Sequence, residues 1–118
     1  MTRDAVELTV RSGRRSTVIE VVGTLDAATG PVLIERVRML CAGGAPRLRI
    51  DLDGVEFIDS RGLGALIQCR RRAHRSGTEL ELVARAGPAR ELLDATGLAG
   101  VFTIDDDDDV GGGSGTAL

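Results

Sequence analysis

Ser60 is the hydroxyl in this 118-residue chain best placed to do chemistry. It follows Val55-Glu56-Phe57-Ile58-Asp59 and precedes Arg61-Gly62-Leu63-Gly64-Ala65-Leu66, an apolar strand-like run leading into the opening of a helix. A side chain at a helix N-terminus faces free backbone N–H groups and the positive end of the helix dipole, and both favour negative charge. A phosphate on Ser60 is therefore compatible with the local fold, yet projects about two charges into any surface lying against it. That is the chemistry of a switch, with Ser60 as phosphoryl acceptor. The plainer reading is helix capping, for which Ser60 and Asp59 are both suited, as is Asp26 before an earlier helix.

Catalysis by Ser60 itself would need a base. The lone His74 lies towards the far end of the same helix, ~20 Å away at about 1.5 Å per residue, beyond hydrogen-bond reach. Ile58 and Asp59 in front of Ser60 exclude a Gly-x-Ser-x-Gly elbow, and there is no Walker-type phosphate loop. Cys41 and Cys69 have no CxxC spacing or nearby histidine and read as buried free thiols. The aspartate run at residues 105–109 lacks the distributed carboxylates and turn glycine of a calcium loop. No catalytic residue, metal site or cofactor is expected.

Composition narrows the class further. The chain is 42% hydrophobic, but Phe57 and Phe102 are its only aromatics, so the core must be built from Val, Leu, Ile and Ala. The net charge is −3, and all 15 basic residues are arginine, where a nucleic-acid binder is usually net basic. No apolar run approaches the ~20 residues that span a bilayer, and residues 1–4 begin no signal peptide. One cytoplasmic domain with one core is the expectation, burying about two-thirds of the surface its unfolded chain exposes.

The elements that must position Ser60 follow from the patterning. Residues 6–10 alternate apolar and polar, residues 11–15 supply a turn, and residues 17–22 return, so the pair reads as a hairpin. Gly23-Thr24-Leu25-Asp26 ends it. Asp26 or Thr29 is placed to cap the next helix, with Pro31 in its first turn and Leu33, Val37, Leu40 and Cys41 as its buried stripe. Residues 48–52 form a third strand, and residues 55–58 carry the chain on to Ser60. In the helix after it, Leu63, Leu66, Ile67 and Ala73 share one side with Cys69 flanking, and Arg61, Gln68, Arg72 and Arg75 form a solvated face. Gly62 and Gly64 each cost roughly 1 kcal/mol there relative to Ala, so a close approach to the sheet or to a partner is expected at both. A fourth strand at 79–83, a short helix holding Leu92 and Leu93, and a last apolar segment at 101–104 complete the chain. The fold class implied is α/β, a single domain over residues 4–104 with a mixed four- to five-stranded sheet covered by helices. Residues 105–118, acidic and then glycine-rich, read as a disordered tail.

Three stretches, in order, carry a family resemblance: Gly23-Thr24-Leu25-Asp26, the run from Asp51 to Ser60, and Thr96-Gly97-Leu98 followed by Val101-Phe102. Together they closely resemble the STAS domains, specifically the bacterial anti-sigma factor antagonists, over roughly residues 4–104. The resemblance implies a cytoplasmic partner-switching protein. Unphosphorylated, it binds an anti-sigma factor and frees a sigma factor; phosphorylated on Ser60 by that anti-sigma factor, itself a kinase, it lets go. A serine phosphatase resets the switch, and no direct contact with nucleic acid or membrane is implied. Asp26, Asp59, Ser60, Arg61, Gly62 and Gly64 are the partner-binding residues by this resemblance. Two departures stand out. Arg61 occupies a place where the family usually has a second small hydroxyl residue, and its guanidinium is suited to a phosphate or an acidic patch on the partner. Polyaspartate and glycines replace the family's usual closing amphipathic helix. The alternative is a purely structural STAS module of a transporter or other regulatory complex, in which Ser60 is incidental.

Overall fold

β-Branched residues dominate the first two strands, β1 (Val6–Ser12) and β2 (Thr17–Leu25), which pair antiparallel as the expected hairpin. β1 runs further than its alternation suggested, because Arg11 and Ser12 still pair with Val18 and Thr17. The computed structural model describes residues 5–105. After the hairpin come α1 (Gly30–Ala42), β3 (Arg47–Ile58), α2 (Ser60–Arg75), β4 (Glu79–Val83), α3 (Pro88–Thr96), a 3₁₀ turn at Leu98–Gly100 and β5 (Thr103–Asp105). Residues 48–52 and 55–58 thus belong to one 12-residue strand. The last strand begins at Thr103 rather than at residue 101. Val101 instead closes the 3₁₀ turn, its N–H donating to Leu98 O at 2.9 Å, and only Phe102 of that pair is buried. The expected tail lies, apart from Asp105, outside the described residues.

The five strands stand in the order β1-β2-β3-β4-β5, parallel except for the hairpin, so the sheet is mixed as expected. Because the order never reverses, successive right-handed crossovers place α1, α2 and α3 on the same face. That face holds the core. Ile19, Val21 and Leu25 of β2, Leu48, Ile50 and Leu52 of β3 and Leu82 of β4 pack with Leu33 and Val37 of α1 and Leu66 and Cys69 of α2. Leu40, expected in the buried stripe of α1, is only half-buried. The opposite face of the sheet is polar, with Arg11–Glu20 at 2.9 Å, Arg47–Glu79 at 2.8 Å and Arg49–Glu81 at 3.0 Å bridging strands. Alternation along the strands thus buries apolar side chains on one side and sets charged pairs on the other, of which Arg49–Glu81 is the most buried.

Two glycines carry the geometry near the ends of β2 and β3. Gly23 has φ +111°, and a Cβ there would lie 2.5 Å from Ala5 O, the carbonyl that accepts from Thr24 N at 3.0 Å. Gly62, in the first turn of α2, is tighter still. A Cβ would lie 2.1 Å from Leu25 O, so only glycine lets the helix start against the end of β2.

Candidate functional site

β2 and β3 are neighbouring parallel strands whose last paired residues are Leu25 and Ile58. Their C-terminal ends therefore deliver Asp26 and Asp59-Ser60 to the same edge of the molecule, and Asp59 N reaches across to Leu25 O at 3.4 Å. The helices that follow are also held together there. A Cβ on Gly30, at the start of α1, would stand 3.0 Å from the Ala65 Cβ of α2.

The capping question is answered by Asp59. With extended backbone (φ −120°, ψ −171°) it is the N-cap of α2, and its carboxylate accepts from Arg61 N and Gly62 N, both at 3.0 Å. Ser60 is the first helical residue and is exposed; its side chain does not cap the helix. Two first-turn N–H groups are thus already committed to a carboxylate. A phosphate placed on Ser60 would gain from the helix dipole but would meet the neighbouring charge of Asp59.

Asp26 does not cap α1. Its Oδ1 accepts from Ala28 N at 3.0 Å and Thr29 N at 3.1 Å, closing the turn before the helix. Thr29 stands at the N-cap position but makes no side-chain bond to the first turn. Its hydroxyl donates instead to Thr24 O at 2.7 Å and accepts from Asp26 N at 2.9 Å. The loop is tied on both sides, and half-buried Asp26 is presented on a rigid turn.

Of the other residues singled out in the sequence, Arg61 is exposed and Gly64 half-buried beside Ser60. Gly64 has nothing within 4 Å of a would-be Cβ, so the close approach expected at both glycines holds for Gly62 alone within this chain. His74 is exposed near the other end of α2, where it lines a shallow hollow with Arg70, Thr78, Glu79 and Glu81, away from Ser60. Among the described residues no group of three or more His, Cys, Asp or Glu could hold a metal ion, and no helix is long and apolar enough to cross a membrane. Both cysteines are buried and free; burial, and then the neighbouring Cys41, push the Cys69 thiol up to about 12. One exposed residue at this edge escaped the sequence reading. Phe57, just ahead of Asp59, is 52% exposed, and the signal available for it was that it is one of only two aromatics.

The STAS domain family matches residues 5–109 of the chain. An anti-sigma-B factor antagonist of Bacillus subtilis (strain 168) is 29% identical over 99 residues, which is 84% of this chain and 90% of that protein. An anti-sigma-B factor antagonist of Listeria monocytogenes is 31% identical over 86 residues, 73% of this chain and 75% of its own. The crystal structure of an anti-sigma factor antagonist from Mycobacterium paratuberculosis superposes with a TM-score of 0.80 at 29% identity, covering 92% of each chain. With that coverage the likeness is to the domain as a whole and not to one loop.

Proposed function

The chain belongs to the STAS domain family, and from that premise we propose that it is an anti-sigma factor antagonist whose grip on its partner is controlled by phosphorylation of Ser60. The observation that carries the reading is the division of labour at the start of α2. Asp59 caps the helix, which leaves the exposed Ser60 hydroxyl with no capping role. A kinase-type anti-sigma factor docks on the edge formed by Asp26, Asp59, Ser60, Arg61 and Gly64, while buried Gly62 seats the helix beneath it. The γ-phosphoryl of ATP passes to Ser60 Oγ, ADP leaves, and the hydroxyl proton goes to a base on the kinase. This chain is the substrate and supplies no catalytic group. Arg61 faces the partner or pairs with the new phosphate, and a serine phosphatase restores the hydroxyl. The names of the similar proteins support the antagonist reading, and the match of this chain's elements to theirs supports carrying it over.

Incubation with the cognate anti-sigma factor, ATP and Mg²⁺, followed by intact-mass measurement, tests the chemistry. Wild type is expected to gain one phosphoryl group and Ser60→Ala none. An unmodified wild type, or a Ser60→Ala chain modified as readily, would refute Ser60 as the acceptor.

A further inference from the structure

Phe57 points away from the core, and an irregularity in the β2–β3 pairing turns it out. Gly23 pairs with Val55, Thr24 with Phe57 and Leu25 with Ile58, so Glu56 is an extra residue without a counterpart on β2. In a regular strand, alternation from buried Val55 would carry Phe57 inward and Ile58 outward. The extra residue reverses this: Val55 and Ile58 are buried, while Phe57 is 52% exposed. Val22, 43% exposed, stands two residues before Thr24 on β2, so Val22 and Phe57 flank Thr24 as an exposed apolar pair on the otherwise polar sheet face opposite the helices. Burying a Phe side chain stabilises a fold. This chain forgoes that at Phe57, while Phe102 is buried. Bulges beside functional sites commonly re-aim a side chain in this way.

We infer that Phe57, flanked by Thr24 and Val22, is the apolar anchor of the surface that Ser60 gates, and that its occupant is the same kinase-type anti-sigma factor. The inference rests on the function proposed above. Continuity identifies the occupant. Phe57 leads directly into Asp59-Ser60 along β3, and Thr24 leads into Asp26 along β2, so the patch adjoins both halves of the site. Interface energy concentrates in a few well-packed aromatic anchors, whereas charges around them govern register and encounter. Phe57 supplies the first and Ser60 the second. A second copy of this chain is the weaker occupant, since three residues fall far short of the ~800 Å² per partner of a standard interface.

Calorimetric titration of the cognate anti-sigma factor with wild type, Phe57→Ala and Met39→Ala tests this. Met39 is 53% exposed towards the other end of α1 and serves as control. Phe57→Ala is expected to weaken binding about thirtyfold or more, the size of a hot-spot loss. Met39→Ala is expected to bind like wild type, and both variants to melt with it. Affinity of Phe57→Ala within about twofold of wild type overturns the anchor and leaves the functional reading intact. So does a wild-type dimer that Phe57→Ala dissolves without changing partner affinity, which assigns the patch to self-association. Failure of wild type to bind at all overturns both.

Discussion

At the residue scale, the start of α2 separates two jobs that adjacent side chains perform. Asp59 holds the helix through bonds to Arg61 N and Gly62 N, and Ser60 stands exposed next to it. Asp59→Ala should therefore cost ~1 kcal/mol, the usual worth of an N-cap, lowering the melting temperature by roughly 4–8 °C. Ser60→Ala should stay within about 0.5 kcal/mol of wild type, like other surface changes. Thermal unfolding of the unmodified proteins checks both, and the reverse ranking would return Ser60 to the role of cap. In the sequence both Ser60 and Asp59 are suited to capping, because both types accept from first-turn N–H groups. Only the extended backbone of Asp59 decides between them. Asp26 was harder to read, since its carboxylate serves the turn before α1, and a turn of that kind leaves no spacing signal distinct from a cap.

The elements carry the next distinction. Gly62 and Gly64 read alike in the sequence, as two helix-weakening residues near a partner-facing serine. In the fold they differ by one tertiary contact, the Leu25 carbonyl lying 2.1 Å from where a Cβ on Gly62 would stand. Gly62→Ala must push α2 off the end of β2 and should destabilise by several kcal/mol, in the range of severe overpacking. Gly64→Ala meets nothing and should stabilise by up to about 1 kcal/mol, the difference in helix propensity. Denaturant unfolding of the two variants measures this, and equal losses would contradict the packing described. If a partner lies close along α2, the stabilised Gly64→Ala chain binds it more weakly. The order of strands and helices was legible because alternation and the helical stripe of α2 are strong signals. The two irregularities of β3, between Asp51 and Gly54 and at Glu56, were not, because a bulge is set by pairing with β2 and leaves the local pattern looking like two short strands.

For the molecule as a whole, the single core on one side of the sheet sets its pH response. Burial holds the Cys69 thiol protonated up to about 12, against ~8.5 for an ordinary thiol. Its pKa is raised on folding, so the stability this contributes is fully present below about pH 8.5. It is lost as pH climbs towards 12, where the unfolded chain binds fewer protons than the native one. The sequence has no Lys or Tyr to add its own titration in that window. Stability should fall steadily above about pH 8.5, by at most ~1.4 kcal/mol per pH unit from this one group, and the melting temperature with it. Cys69→Ala should flatten the slope even if it lowers the baseline; an unchanged slope would argue against a thiol held neutral by the core. With one packed core, the proposed switch is expected to act at the surface and not by melting the domain. A phosphate on Ser60 would add charge and bulk to the proposed docking edge, where like-charge juxtaposition costs several kcal/mol. Even ~2.7 kcal/mol weakens binding about a hundredfold. The most direct test is the calorimetric affinity of the cognate anti-sigma factor for unmodified and Ser60-phosphorylated chains, with Ser60→Ala and Ser60→Asp beside them. Unmodified protein and Ser60→Ala should bind equally, Ser60→Asp more weakly, and the phosphorylated chain about a hundredfold more weakly or worse; equal affinities across all four would contradict the switch.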